Sequence, residues 1–288
     1  MSEPIHAHGH EEPSALAVSV ALESLKAKLI AYSPIAIAVS GGVDSMTLAT
    51  VAQAVLNRDV IMVHAMSPAV PVEATQRVQR YAQQQGWTLE LVDAGEMSDD
   101  RYKQNPVNRC YFCKSNLYNR INDVWSGLVA SGANMDDLGD YRPGLLAAKE
   151  KRVVHPLIDA GIDKSMVRAI AKHLALTDIA QLPAQPCLSS RVETGISIKP
   201  DDLVFIHRVE TFLTRELGPG DLRCRITADG VRVEVPRHLK EQHADWSQFY
   251  TALSSLIEGE GRILAQIADY QRGSAFLGSA DQIATRIL

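Results

Sequence analysis

Apolar positions along the chain follow two alternating rhythms. From about Ser14 to Ala31 they recur at helical spacing and predict an amphipathic helix. Four short runs then read as buried strands: IAIAV (35–39), DVIMVHA (59–65), WTLELVD (87–93) and GLVASGA (127–133). Between them, helical patterns cover Met46–Leu56, Val72–Gln85 with Gly86 as a stop, and Cys113–Trp125. Such alternation predicts an α/β domain, an open parallel sheet with helices on both faces. In sheets of this kind, ligands sit beyond the carboxyl ends of the strands.

A further helix is expected from about Asp163 to Leu176, and the texture changes near Gly195. A helical pattern over Pro200–Leu217 precedes LRCRITADGVRVEVP, two alternating runs joined by Asp229-Gly230, a hairpin signal. A helix over about Ala244–Glu258 and a strand-like ILAQIAD complete a small α+β unit. The expected organisation is a flexible tail over 1–13, the α/β domain over 14–194 and the α+β domain over 195–288.

Composition narrows the class. With 288 residues, 46% hydrophobic and 22% charged, the chain reads as an ordinary soluble globule of about two domains. No apolar run approaches the ~18 residues of a membrane span. The opening MSEPIHAHGHEEPS lacks a basic segment followed by an apolar one, so a cytoplasmic location is expected. His6, His8 and His10 read as part of a solvated polar tail. A net charge of −5 argues against a nonspecific grip on nucleic acid while leaving room for a local basic pocket. Four cysteines are too few for a disulfide framework, so they are ligands, nucleophiles or core filler.

The first strand ends in Ser40-Gly41-Gly42-Val43-Asp44-Ser45. Two glycines after a buried strand let backbone N–H groups approach an anion, and the following helix adds its positive N-terminal end. Ser40 and Ser45 offer hydroxyl donors, whereas Asp44 either caps the helix or holds Mg2+. The turn has neither a Walker A ending nor a GxGxxG pattern. SGGVDS resembles the pyrophosphate-binding loop of the PP-loop ATP pyrophosphatase superfamily, which has the adenine nucleotide α-hydrolase-like fold. That resemblance implies cleavage of ATP between its α- and β-phosphates. It also places His64-Ala65-Met66 near adenine, and Gly132 and Asn134 near ribose or phosphate.

Cys110 and Cys113 form a CxxC flanked by Arg109 and Lys114, and Cys187 stands beside Arg191 in PCLSSR. CxxC alone suits zinc, a redox pair or an iron–sulfur site. The neighbouring cations are expected to lower the thiol pKa values. Three cysteines without an evident fourth ligand favour a site with one open position. Cys224 lies in an alternating strand and reads as core. SGGVDS, NPVNRCYFCK, ASGANMDDLGDYRPG, HPLIDAGIDKSMVR and PCLSSR together resemble the LarE family over about residues 14–275.

The resemblance implies an ATP-dependent sulfur transferase of nickel-pincer nucleotide biosynthesis. Its substrate is the carboxylate of pyridinium-3,5-biscarboxylic acid mononucleotide, which is adenylated and then thiolated. It makes Cys187 the counterpart of the cysteine that sacrificial members consume. Cys110 and Cys113 instead align the chain with the three-cysteine members, whose [4Fe-4S] cluster has a free iron that carries sulfide. It further implies that Arg109 and Lys114 meet anionic groups and that Arg223 and Arg225, on one face of a strand, meet substrate phosphate. Among Asp136, Asp137 and Asp140, one binds Mg2+ or ribose, or all form a solvated turn. A homo-oligomer is implied, a hexamer with sites near subunit contacts. Three alternatives are a transfer-RNA thiolation enzyme, an ammonia-using amide synthetase and a non-catalytic metal-binding protein.

Overall fold

The first half of the chain lays down four parallel strands: β1 (Ile35–Ala38), β2 (Val60–Met66), β3 (Leu89–Asp93) and β4 (Leu128–Ser131). Their order is β3-β2-β1-β4. This computed structural model describes residues 13–139, 142–183 and 186–270. In register, Ile35 of β1 lies opposite Val60 on one side and Leu128 on the other. Period-two alternation sends Ile35, Ile37 and Met62 into one core and Ala36, Val63 and Val129 into another.

Helices Ala15–Tyr32, Val43–Leu56, Val72–Gln85 and Lys164–His173 bury their apolar positions in the first core. Helices Arg109–Val124 and Pro143–Glu150 close the opposite face through Tyr118, Ile121 and Ala148. Both faces are thus covered, which is why the strands are near-continuously apolar. The leading helix starts at a Ser14 cap, whose hydroxyl accepts from the Ala17 N–H at 3.2 Å.

A second sheet, ordered β5-β6-β7, follows in the C-terminal part. Strands β5 (Arg223–Thr227) and β6 (Gly230–Val235) form the expected hairpin, and β7 (Leu264–Asp269) joins β6 in parallel. Helices Pro200–Leu217 and Trp246–Gly259 cover it with Phe205, Ile206, Leu253 and Ile257. The same core takes in Tyr102, Leu188 and Val192 from the preceding half.

Two helix starts differ from expectation. The helix after β1 begins at Val43 rather than Met46, and the cysteine-bearing helix at Arg109 rather than Cys113. Their first turns mix polar residues (Asp44 and Ser45; Arg109) with core-packed Val43 and Phe112, and so lack the regular apolar periodicity that marks a helix. Helix Pro143–Glu150 was not expected either; it buries Pro143 and two alanines, a weak periodic signal. No described helix is long and apolar enough to cross a membrane.

Candidate active site

In this strand order the connection from β1 goes to β2 on one side, while β4 enters on the other. The carboxyl ends of β1 and β4 therefore flank a topological switch point, where an open parallel sheet leaves a crevice. The SGGVDS turn follows β1, and Gly132-Ala133-Asn134 follows β4.

Close packing explains the glycines. Gly41 has φ +84°, and a Cβ on it would meet the Ala74 carbonyl oxygen at 2.8 Å. A Cβ on Gly132 would come within 2.8 Å of the Ser45 nitrogen. Ser45 Oγ accepts from the Ser40 N–H at 3.1 Å and donates to the Gly42 carbonyl at 3.2 Å. The buried Arg77 guanidinium supports the loop from below, donating to the Gly41 carbonyl at 2.8 Å. Gly42 is the helix N-cap, with Val43 opening the helix and no side chain capping it.

Asp44 lies in the first helical turn and does not cap it. Asn134 Nδ2 donates to its Oδ1 at 3.0 Å, and Lys164 Nζ donates to its Oδ2 at 2.5 Å. Asp136 accepts from the Lys164 backbone N–H at 3.2 Å, and Asp137 accepts from the Asn134 N–H at 3.0 Å. These carboxylates are the hard oxygen donors that Mg2+ prefers. Asp140 lies outside the described residues.

His64 is a satisfied core residue. Its Nδ1–H donates to the Val39 carbonyl at 2.7 Å, which leaves Nε2 to accept from the Thr75 hydroxyl at 2.9 Å. Burial lowers its pKa. Met66, at the end of β2, is exposed. Sequence reading gave no role to His155, which contacts Ser131 Oγ through Nδ1 at 2.9 Å. Burial lowers its pKa, with the Asp159 and Asp137 carboxylates opposing and Lys114 adding to the effect.

Cys110 and Cys113 ride the first two turns of helix Arg109–Val124, and Cys187 precedes the short turn Leu188–Arg191. Cys110 and Cys187 are exposed and Cys113 half-buried. Burial pushes the Cys113 thiol up to about 12, with Cys187 as the next cause. At Cys110, incomplete solvation and then Cys187 raise the pKa, and Arg109, Lys114 and Arg142 only oppose it. The expectation that flanking cations would lower these pKa values is therefore corrected: desolvation, and then the repulsion between neighbouring thiolates, outweigh them. Burial also works against the Lys114 ammonium, but Tyr118 and the three thiols keep its pKa raised. Cys224 is buried in the second core, as expected.

The three thiols thus influence one another, yet no three His, Cys, Asp or Glu side chains among the described residues are drawn together tightly enough to hold a metal ion. As a donor set they still suit iron–sulfur chemistry, which takes thiolate ligands and is compatible with one iron left open.

Sequence reading missed the residues that hold the cysteines in place. Asn105, at φ 53°, donates through Nδ2 to the carbonyls of Val192, Glu193 and Ile196 at 3.2, 2.9 and 3.0 Å. The Leu188 N–H donates to the Ala69 carbonyl beyond β2 at 2.9 Å. Arg191, buried, pairs with Glu210 at 2.8 Å and donates to the Pro186 carbonyl at 3.2 Å. The only hint in the sequence is Asn105 before Pro106, since Asn tolerates the left-handed conformation.

Arg223 and Arg225 are both buried and both engaged. Arg225 pairs with the buried Glu234 at 2.8 Å and donates to the Ser190 carbonyl at 3.1 Å. Arg223 pairs with Asp221 at 2.9 Å and lies 5.3 Å from the Tyr270 ring centre. Buried Arg109 flanks the thiol pair.

The sheet, the glycine turn at its switch point and the second small sheet define a PP-loop-like α/β protein. No family model matches the chain. Over 224 residues, 75% of this chain and 80% of the relative, it is 33% identical to the pyridinium-3,5-bisthiocarboxylic acid mononucleotide synthase of Lactiplantibacillus plantarum. It is 42% identical to an uncharacterised Synechocystis protein, covering 69% of this chain and 75% of the relative. An uncharacterised protein of Methanocaldococcus jannaschii is 29% identical over 72% of this chain and 79% of its own. The chain belongs to the LarE family of pyridinium-3,5-bisthiocarboxylic acid mononucleotide synthases.

Proposed function

We propose that this protein is an ATP-dependent sulfur transferase that converts a carboxylate of pyridinium-3,5-biscarboxylic acid mononucleotide into a thiocarboxylate, for the nickel-pincer nucleotide cofactor. One observation carries the reading. Arg142 pairs with Asp137 at 3.1 Å, and two residues further on a Cβ at Gly144 would meet Lys114 Cγ at 3.0 Å and the Cys110 carbonyl at 3.8 Å, so the segment after the Asn134 turn packs against the start of the cysteine helix.

A carboxylate resists nucleophiles because it is anionic and lacks a good leaving group. Attack of its oxygen on the α-phosphorus of ATP expels pyrophosphate and gives an acyl-adenylate. The glycine turn and helix N-terminus stabilise the charge on the phosphates. A sulfur nucleophile then attacks the acyl carbon, and AMP departs with the oxygen. Lys114 and Arg109 hold anionic groups beside the thiols. Arg223 and Arg225 lie in the unit after about residue 195, which receives the nucleotide-like substrate and its phosphate. Cys110, Cys113 and Cys187 are the residues that would hold a [4Fe-4S] cluster, which supplies a sulfide carrier. Asp44, with Asp136 or Asp137 beyond β4, would supply carboxylate oxygens for Mg2+.

The test is anaerobic incubation with ATP and the dicarboxylate mononucleotide, followed by mass spectrometry. Thiocarboxylate and AMP with an intact Cys187 support the proposal. Dehydroalanine at residue 187 would move the sulfur source to that cysteine. Absence of AMP would overturn the adenylation.

A further inference from the structure

Lys164 belongs to none of the roles above. It is the first residue of helix Lys164–His173, next to the Asp163 cap, and its ammonium crosses to the turn after β1. Both oxygens of Asp44 are consequently occupied, one by Lys164 and one by Asn134. A carboxylate in the first turn of a phosphate-binding helix would repel an incoming nucleotide unless a cation neutralised it. Lys164 supplies that cation. The pair is only partly buried, with the side chains 34% and 23% exposed. Solvent reaches both side chains and screens the pair, so the contact can be exchanged at modest cost. The Lys164 backbone is tied separately, through its N–H to Asp136, so the side chain can swing while its base stays fixed. Four methylenes give the ammonium room to move.

We infer that Lys164 is an exchangeable counter-ion: it holds Asp44 when the site is empty, and on binding of a magnesium–nucleotide it passes to the phosphates, leaving Asp44 to the cation. This rests on the proposed ATP site.

The test compares the full-length wild type with Lys164→Met and Lys164→Arg. Mn2+ binding is followed by electron paramagnetic resonance without nucleotide, and ATP binding by calorimetry with Mg2+. Lys164→Met should bind ATP about tenfold more weakly, the loss of one charge-assisted contact. It should bind Mn2+ alone more tightly than the wild type, because the carboxylate is released. Lys164→Arg should keep Mn2+ affinity at the wild-type level, and it carries the test if the methionine variant does not fold. Weaker ATP binding with unchanged Mn2+ binding in the methionine variant would overturn the exchange, as would unchanged ATP binding. Tighter Mn2+ binding by Lys164→Arg would also overturn it. A wild type that binds no ATP would instead overturn the nucleotide site itself.

Discussion

The hydroxyls of Tyr102 and Ser189 lie 2.5 Å apart in the interior, joining the segment that leads to Cys110 and Cys113 to the turn that carries Cys187. With the Asn105 bonds, this contact ties the segment before the thiol pair to the chain that follows Cys187. Tyr102→Phe should cost about 1 kcal/mol of stability, the typical net value of a hydrogen bond. Thiocarboxylate formation should fall several-fold while ATP affinity stays at the wild-type level. Equal losses in both would show that the contact does not act on the sulfur side.

Gly132→Ala tests the packing of the glycine turn. Its new methyl would press on the Ser45 nitrogen, in backbone rather than in a movable side chain. Displacing the loop should weaken ATP binding at least tenfold while the melting temperature drops only modestly. Calorimetry alongside a thermal melt would separate the two effects.

The Arg225–Glu234 pair is a buried one, and removing one member strands the other. Glu234→Ala should therefore lose about 3–5 kcal/mol, read by urea unfolding. If the loss is under about 1 kcal/mol, the guanidinium has found solvent or an anion.

Acid should destabilise the protein through His64. Its folded-state pKa lies below the ordinary value, so the unfolded chain takes up the proton first. The stabilisation is complete at neutral pH and declines as pH falls below about 6.5. Unfolding midpoints between pH 7.5 and 5.5 should fall, and in His64→Gln the slope should be shallower.

In iron-free protein, Cys113 should alkylate much more slowly at pH 8 than a free thiol, because its pKa is about 12. Anaerobic reconstitution should yield brown protein with about four irons per chain. Ligation would displace the thiol protons, so cluster uptake should improve as pH rises.

Much of the architecture was legible in the chain. Buried strands such as IAIAV and the stop at Gly86 announce themselves through period and punctuation, and helix Val72–Gln85 occurs as expected. Asp229-Gly230 gave the hairpin because its turn chemistry is local. Less legible were contacts between residues distant in sequence. Nothing near Lys164 announces Asp44, 120 positions away. Nor does Tyr102 announce Ser189, since neither partner carries a periodic signal. The thiol pKa directions were misjudged for a related reason: neighbouring charges can be read from a motif, whereas burial depends on the whole fold.

The anchoring of the Leu188 N–H on Ala69 has one more consequence. The turn that bears Cys187, the proposed bearer of sulfur, is moored to the segment just beyond β2, so on that proposal the sulfur would stay beside the sheet edge where the intermediate forms. A reactive mixed anhydride would be intercepted where it arises, before bulk solvent can hydrolyse it, and fidelity would come from immobility rather than from a swinging arm.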